Sequence, residues 1–178
     1  GGHFDYGRQG TSTTYILQKM LKEMEECHHV FLTPTGFGSV FLSIFSVVRP
    51  GDEILVADPV YYPTRLLTED FLKPFNIKTI FYNPHDLNTL KKKITNKTKL
   101  IYVESPGSNS FEFLDLSKIL SIAKKYKLFT AIDNTWATPY FLKPIKLGFD
   151  MSIVSATKYY SGHSDVMGGS LAVNKRVF

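Results

Sequence analysis

The stretch Val30-Phe31-Leu32-Thr33-Pro34-Thr35-Gly36-Phe37-Gly38-Ser39 contains the transition that decides the fold. Three apolar residues, typical of a buried strand, lead into a turn of small residues. A helical pattern of apolar residues follows and continues to about Val48. A strand that leads through a tight turn into a helix is the repeating unit of α/β domains.

The same alternation of strand and helix recurs along the chain. Strands are predicted at residues 30–32, 54–56, 77–82, 100–103, 128–132 and 151–154, and helices at residues 16–24, 37–48, 62–72, 87–94 and 116–126. Strands with consecutive apolar residues, separated by helices, indicate a mostly parallel sheet that helices cover on both faces. No linker or repeat divides the sequence, so we predict one α/β domain over residues 1–178.

The composition is typical of a globular protein in a reducing compartment. The 178 residues are 43% hydrophobic and include one cysteine, Cys27, which permits no internal disulfide. The longest apolar-leaning stretch, residues 40–48, falls far short of the ~20 residues that cross a bilayer. The first residues lack the basic-then-apolar pattern of a signal peptide. We therefore expect a cytoplasmic protein with no membrane partner.

The net charge of +5 raises the question of a nucleic-acid partner. Five lysines crowd one segment: Lys91, Lys92, Lys93, Lys97 and Lys99. No aromatic residue is interleaved with them to stack on bases. Of the 21 basic residues, 17 are Lys and four are Arg, whereas bidentate reading of bases and phosphates favours Arg. A solvated basic face is the favoured interpretation, and no nucleic-acid partner is expected.

Small and polar residues follow the predicted strands, where ligands bind in α/β sheets. The turn at Gly36 could present backbone N–H groups to a phosphate, although an ordinary tight turn would have the same sequence. Tyr61 could offer the face of its ring, or it could simply pack in the core. The remaining strand ends supply Glu104-Ser105-Pro106-Gly107-Ser108, then Asp133, and finally Ser155, Thr157 and Lys158.

Together these strand ends supply the groups that pyridoxal 5'-phosphate (PLP) needs. The cofactor takes a lysine for its aldehyde, an acid for its ring nitrogen, an aromatic ring to stack on and donors for its phosphate. Asp133, held against the pyridine nitrogen, would keep that nitrogen protonated. The ring could then accept the electrons left when the substrate Cα–H bond breaks. The sequence therefore predicts PLP as the cofactor.

Five segments resemble, in order, the motifs of the cysteine and methionine metabolism family of fold type I PLP enzymes. They are Tyr6-Gly7-Arg8-Gln9-Gly10-Thr11, Asp58-Pro59-Val60-Tyr61, Glu104-Ser105-Pro106-Gly107-Ser108, Asp133-Asn134-Thr135-Trp136-Ala137, and Ser155-Ala156-Thr157-Lys158-Tyr159 with Gly162-His163-Ser164-Asp165. The segments span essentially the whole chain, which makes the resemblance specific. Within the family they are most similar to those of bacterial cystathionine β-lyases.

The resemblance implies a role for each candidate site residue. Lys158 would be the Schiff-base lysine and later a proton carrier, Asp133 would pair with the pyridine nitrogen, and Tyr61 would stack over the ring and act as a candidate acid or base. The phosphate ligands would be the backbone N–H groups of Gly36 and Phe37 and the hydroxyls of Ser155 and Thr157. Tyr6 and Arg8 would reach the phosphate of a neighbouring subunit in a homotetramer built from dimers.

Ser108 and Trp136 are the candidates for the substrate pocket. Trp136 would line the pocket wall, with core packing an equal alternative. Ser108 stands two residues after Pro106, where family members that act at Cγ commonly carry asparagine, so the resemblance favours a β-lyase. His163 is more readily a structural hydrogen-bonding residue than a catalyst. No metal site is predicted, because the other histidines lack metal-ligand spacing.

The implied substrate is a small sulfur amino acid, and the implied reaction is α,β-elimination of cystathionine to homocysteine, pyruvate and ammonia. Cystathionine γ-synthase, cystathionine γ-lyase and methionine γ-lyase remain alternatives, because one or two positions decide between them. Family members have a longer N-terminal arm and a C-terminal domain that clamps the substrate carboxylate. We therefore expect residues 1–178 to be the PLP-binding core of a longer enzyme, with a non-catalytic remnant as the alternative.

Overall fold

One seven-stranded mixed sheet runs through the computed structural model, which describes residues 6–178. Its strands are β1 (His29–Thr33), β2 (Glu53–Ala57), β3 (Lys78–Tyr82), β4 (Thr98–Glu104), β5 (Phe129–Asp133), β6 (Met151–Val154) and β7 (Gly169–Val173). Their order across the sheet is β1-β7-β6-β5-β4-β2-β3. The strands β2 to β6 pair in parallel, while β7 runs antiparallel to both β1 and β6. The predicted mostly parallel sheet is therefore confirmed.

All five predicted helices are present, one of them in altered form, together with two four-residue helices that the sequence pattern did not predict. They are α1 (Ser12–Glu25), α2 (Gly36–Val47), α3 (Tyr62–Leu66), α4 (Leu87–Lys93), α5 (Leu116–Tyr126), α6 (Thr138–Phe141) and α7 (Pro144–Leu147). The helix predicted over residues 62–72 is α-helical only to Leu66 and continues as a π-helical turn, Leu67–Phe71, and a 3-10 turn, Lys73–Phe75. Pro74 has no N–H to donate and its ring clashes with the preceding turn, so an α-helix cannot continue through it.

Among the strands of the described residues, β7 is the one that the sequence pattern did not predict. It begins at Gly169, and glycine there reads as a turn residue. The structure gives the glycine a different reason: a β-carbon at Gly169 would lie 2.4 Å from the Thr35 carbonyl oxygen and 2.5 Å from Thr33 Oγ1. Only a residue without a side chain lets β7 start this close to the turn that follows β1.

Side chains from alternate positions of β7 show that helices cover both faces of the sheet. Ala172 packs with Leu21 of α1 and Val30 of β1 in a small cluster. Its neighbours Leu171 and Val173 belong instead to the main core, together with α2 residues such as Ile44. Because successive side chains of a strand point to opposite faces, α1 and α2 lie on opposite sides of the sheet.

The lysine-rich segment has a local structural explanation. Lys91, Lys92 and Lys93 form the last turn of α4. Cations at that end of a helix interact favourably with its unpaired carbonyl groups, so the run need not mark a binding surface. In the described part of the chain, no helix has the length and apolar character that crossing a membrane requires.

Candidate active site

A cavity of about 1040 Å³ opens at the carboxyl ends of β1, β2, β4, β5 and β6. The residues that line it include the last residues of β4 and β5 and residues that follow each of the five strands: Thr35, Gly36 and Phe37; Tyr61; Glu104 and Ser108; Asp133, Thr135 and Trp136; Ser155, Thr157 and Lys158. Its volume is at the upper end of the range for cofactor and small-molecule sites. Nine of the eleven residues predicted for the site therefore meet around one cavity.

The turn at Gly36 has the features of a phosphate cradle. The Thr35 hydroxyl caps α2 by accepting a hydrogen bond of 2.9 Å from the Gly38 N–H. Gly36 and Phe37 are the first two residues of α2. Neither of their N–H groups donates a hydrogen bond to an acceptor within residues 6–178. Unpaired N–H groups at the start of a helix attract anions, and α2 is 12 residues long.

Gly36 also brings this turn into contact with the turn after β6. A β-carbon at Gly36 would lie 2.6 Å from both Cβ and Oγ of Ser155. The Ser155 N–H donates to Thr135 Oγ1 at 2.9 Å, which fixes the Ser155 backbone to the end of β5. The hydroxyl of Ser155 is therefore held beside the Gly36 turn, where it can donate to the same anion.

The two hydroxyls predicted to bind phosphate differ in their surroundings. The Ser155 hydroxyl has no hydrogen-bond partner within residues 6–178. Thr157 Oγ1, in contrast, accepts from the Gly168 N–H at 3.1 Å and donates to the Gly168 carbonyl oxygen at 3.2 Å. Both residues line the cavity. Thr157 must release Gly168 before its proton can be donated to a phosphate, whereas Ser155 needs no such change.

Lys158 lies on a turn that its own backbone stabilises. Its N–H donates to the Ser155 carbonyl oxygen at 3.1 Å, and its carbonyl oxygen accepts from the Gly162 N–H at 2.8 Å. The side chain is exposed and lines the cavity. No carboxylate of the described residues lies within ion-pairing distance of its amine. The amine is therefore available to a ligand in the cavity.

Asp133 is a buried acid at the end of β5. Its Oδ1 accepts a hydrogen bond of 3.0 Å from the Thr135 N–H. Burial raises the pKa of the Asp133 carboxyl above its ordinary value, and the hydrogen bonds from Thr135 oppose that shift. Within residues 6–178 no Lys, Arg or His pairs with it. A cationic N–H brought into the cavity would supply the missing partner.

Glu104, at the end of β4, is a site residue that sequence reasoning did not single out. It stands in register with Asp133 on the neighbouring strand, so the two carboxyls point to the same face of the sheet. Its Oε2 accepts from the Tyr61 N–H at 2.7 Å, and its Oε1 accepts from the N–H of Ser108 at 2.6 Å and from the Ser108 hydroxyl. Burial and the nearby Asp133 raise the pKa of Glu104 to about 7. The available signal was its position as the last residue of an apolar strand, directly before Ser105-Pro106.

Two aromatic residues predicted for the site lie on its walls. Tyr61 caps α3 and is 48% exposed, and Trp136 is 41% exposed, so neither packs in the core. The Trp136 ring meets the Phe111 ring edge-on, with centroids 5.2 Å apart, and lies 6.0 Å from the Tyr159 ring. Both rings are available to a ligand in the cavity.

Tyr6 and Arg8 do not reach the cavity of their own chain. Both are exposed, and the Arg8 guanidinium lies over the Tyr6 ring at 5.4 Å from its centroid. His163 is exposed, and its Nδ1 lies 2.7 Å from the Ser161 carbonyl oxygen, which is the structural hydrogen bond expected from the sequence. Across residues 6–178, no three His, Cys, Asp or Glu side chains are grouped so that they could hold a metal ion.

The donor set of the cavity fits PLP on structural grounds. Within residues 6–178, the Gly36 turn and the Ser155 hydroxyl offer unpaired donors for a phosphate. The glycine lets the two groups lie side by side, because a β-carbon at position 36 would collide with Ser155. Among residues 6–178, the buried carboxyl of Asp133 has no cationic partner and the amine of Lys158 has no acidic one. Tyr61 supplies an aromatic face beside them.

Comparisons with known proteins agree with this chemistry. The family model described as Cys/Met metabolism PLP-dependent enzyme matches residues 1–178. A cystathionine β-lyase of Bordetella avium is 36% identical over 170 residues, which is 95% of this chain and 42% of that protein. The chain thus spans less than half the length of this curated relative.

Two solved structures share the fold. One, from Campylobacter jejuni, is assigned as an O-acetylhomoserine (thiol)-lyase and contains a pyridoxyl-lysine monophosphate. It is 32% identical, has a TM-score of 0.92, and is matched over 97% of this chain and 43% of its own. The other is a cystathionine γ-lyase of Lactobacillus plantarum in complex with L-serine, with 31% identity, a TM-score of 0.91, and coverage of 98% of this chain and 46% of its own.

Proposed function

Because the chain belongs to the Cys/Met metabolism family of PLP-dependent enzymes, we propose that it forms the cofactor-binding core of a cystathionine β-lyase. The reaction would be α,β-elimination of cystathionine, with water, to homocysteine, pyruvate and ammonia. The observation that carries the proposal is the meeting of Lys158, Asp133 and the Gly36 turn around one cavity. These three groups match the aldehyde, the ring nitrogen and the phosphate of the cofactor.

Each residue has a distinct task in the proposed reaction. When bound, PLP supplies an electron sink that stabilises the negative charge developing at the substrate Cα. The Lys158 amine takes the Cα proton and returns a proton on the side of the leaving sulfur. Asp133 keeps a negative charge against the ring nitrogen, and Tyr61 covers one face of the ring. The N–H groups of Gly36 and Phe37 and the hydroxyl of Ser155 hold the phosphate.

Ser108 supports cleavage at Cβ over cleavage at Cγ. By family resemblance, members that act at Cγ commonly carry asparagine at this position. Ser108 lines the cavity and is bonded to Glu104. The 36% sequence identity with the cystathionine β-lyase of Bordetella avium also supports cleavage at Cβ. Cystathionine γ-synthase, cystathionine γ-lyase and methionine γ-lyase are the alternative reactions of the same cofactor site.

The exposed Tyr6 and Arg8 support assembly into a homo-oligomer. We assign them to the phosphate site of a second copy of the chain, in a tetramer built from dimers. Arg8 suits this role because its guanidinium can bind a phosphate through two hydrogen bonds. A reducing cytoplasm is the proposed compartment, since residues 1–178 contain one cysteine, Cys27, and no internal disulfide.

Product identification tests the proposed reaction. The protein at its natural length is incubated with PLP and cystathionine, and the keto acid is identified. Pyruvate together with homocysteine is the expected result. Release of 2-oxobutanoate and cysteine would instead assign the chain to the γ-lyases. A protein that binds PLP and releases no keto acid would overturn the lyase assignment and favour the non-catalytic remnant.

A further inference from the structure

We propose that Glu104 is a positioning residue that clamps the Tyr61 loop and the Ser108 loop together beside Asp133. The proposal rests on the PLP-dependent function proposed above and adds to it a residue to which that function assigns no task. Glu104 lines the cavity, and it would act through its hydrogen bonds to the two loops that carry Tyr61 and Ser108. One carboxyl group thereby sets the position of the stacking ring and of the substrate pocket at the same time.

The hydrogen bonds of Glu104 connect two separate parts of the chain. Oε2 accepts from the backbone N–H of Tyr61, the capping residue of α3, at 2.7 Å. Oε1 accepts from the backbone N–H of Ser108 at 2.6 Å and from its hydroxyl. Hydrogen bonds to a carboxylate are stronger than those between neutral groups. Each oxygen therefore holds one loop, and neither loop can move without breaking a charge-assisted bond.

Burial makes the clamp effective. Glu104 is 2% exposed, and it lies at the end of β4, the strand between β2 and β5 in the sheet. A carboxyl group in this position cannot follow a moving loop, because its own strand is paired on both sides. Loops that bind ligands are often mobile, and a buried anchor limits that mobility.

Asp133 lies beside Glu104, and its charge helps to raise the pKa of the Glu104 carboxyl. The two residues are in register, and the described groups contain no cation that pairs with either. Tyr102 lies on the same strand as Glu104. Burial raises the pKa of its hydroxyl, and the charges of Asp133 and Glu104 raise it further. Tyr61 and Lys158 face the same cavity. The charge of Asp133 disfavours ionisation of Glu104, so a cation brought into the cavity would relieve the repulsion between the two carboxyl groups.

The substitution Glu104→Gln tests the clamp, because glutamine has the same shape and one acceptor oxygen. Its amide nitrogen cannot accept from a backbone N–H, so one of the two loops must lose its anchor. We expect the dissociation constant for PLP to rise about tenfold, as for the loss of one hydrogen bond to a charged group. The circular dichroism band of the bound cofactor should also weaken, since the Tyr61 ring is no longer held.

Two further variants separate positioning from stability. Glu53→Gln changes another buried glutamate. Glu53 is the first residue of β2, at the end of the strand away from the cavity, and forms an ion pair with Lys78. This substitution should lower the Tm and leave both PLP affinity and dichroism per bound cofactor unchanged. Ser108→Ala removes only the hydroxyl bond to Glu104 and should raise the KM for substrate with little change in PLP affinity.

The outcomes distinguish this inference from the proposed function. If Glu104→Gln binds PLP with wild-type affinity and dichroism while Lys158→Ala loses the cofactor band, the clamp is wrong and the cofactor site stands. Glu104→Gln effects no larger than those of Glu53→Gln would also overturn it. A wild-type protein at its natural length that binds no PLP would overturn both proposals.

Discussion

Gly36 packs directly against Ser155, at a distance that leaves no room for a β-carbon. The two residues belong to the turns after β1 and β6, and β7 lies between these strands in the sheet. Their contact closes the gap and joins the N–H groups of α2 to the hydroxyl of Ser155. The candidate phosphate site therefore depends on the absence of a single methyl group.

Replacing Gly36 with alanine should damage the candidate phosphate site. The added methyl would lie 2.6 Å from the Ser155 side chain and 2.9 Å from its Cα, so the two turns must separate. We expect a loss of about 1–3 kcal/mol in the free energy of unfolding, as for other overpacked sites, and at least tenfold weaker PLP binding. Urea unfolding and an absorbance titration with PLP measure the two effects.

Gly38→Ala is the matched control for this change. A β-carbon there would lie 3.4 Å from the Thr33 side chain, which is an ordinary contact, and alanine favours the helix. This variant should remain close to wild type in both measurements. Wild-type PLP affinity in Gly36→Ala would exclude the Gly36 turn as a phosphate site.

Removing the amine of Lys158 should abolish the absorbance band of covalently attached cofactor. The side chain is exposed and makes no ion pair in the described part of the chain, so Lys158→Ala should leave the Tm of the apoprotein within about 1 °C. Lys175→Ala, a change at an exposed lysine outside the cavity, should retain the band. An unchanged band in Lys158→Ala would mean that another amine holds the aldehyde.

The buried Glu25 should make stability depend on pH. Desolvation raises the pKa of Glu25 to about 7, against hydrogen bonds from Ser152 and Tyr160 and the charge of Lys143 that lower it. The folded protein thus binds this proton more tightly than the unfolded chain. Stability from this group is fully present below pH 4.5 and is lost as the pH rises to about 7, by up to about 3 kcal/mol.

Glu25→Gln isolates this contribution. The glutamine has no charge to bury, so the variant should lose less stability than wild type between pH 4.5 and pH 7. Glu23→Gln, at an exposed position of the same helix, should keep the wild-type slope. Thermal unfolding over this pH range measures the difference, and parallel curves for wild type and Glu25→Gln would contradict the prediction.

Asp150 should contribute strongly to the free energy of unfolding. It directly precedes β6, at the end of the strand away from the cavity. Its buried carboxylate accepts from the Thr130 N–H at 2.9 Å, from Asn174 Nδ2 at 2.8 Å and from Arg176 Nη1 at 3.2 Å. Asp150→Ala leaves these donors without their acceptor and should cost about 2–4 kcal/mol in the free energy of unfolding. Arg176→Ala should cost less, because that side chain is 44% exposed.

PLP affinity provides the second measurement for Asp150. Because the residue lies away from the cavity, Asp150→Ala should bind PLP normally at temperatures where it remains folded. A weakened affinity under those conditions would show that the two ends of the strands are coupled.

Residues at the ends of parallel strands were predictable from the sequence. Consecutive apolar residues located the strands, and the rule that ligands bind at their carboxyl ends led to Asp133 and Lys158. The rule works because strands that run in parallel bring their ends to one edge whatever their order. It does not depend on knowing which strand lies next to which.

Features set by long-range pairing were not predictable. Glu104 and Asp133 become neighbours only through the register of β4 and β5, and the sequence contains no local sign of that register. The need for glycine at position 169 has no local sign either, because the atoms that exclude a side chain there are the Thr35 carbonyl oxygen and the hydroxyls of Thr33 and Ser39, far away in the chain.

The position of β7 has a consequence for how the protein is made. Among residues 6–178, the strand order places β1, the first strand of the chain, at an edge of the sheet, where β7 is its hydrogen-bonding partner, so β1 stays unpaired until more than a hundred further residues have been added. While the ribosome is still adding residues before Gly169, β1 has an unpaired edge and the turn at Gly36 has no Ser155 beside it. The Gly36 side of the candidate cavity can therefore close only after β7 has been synthesised, and a chain cut before Gly169 cannot complete it.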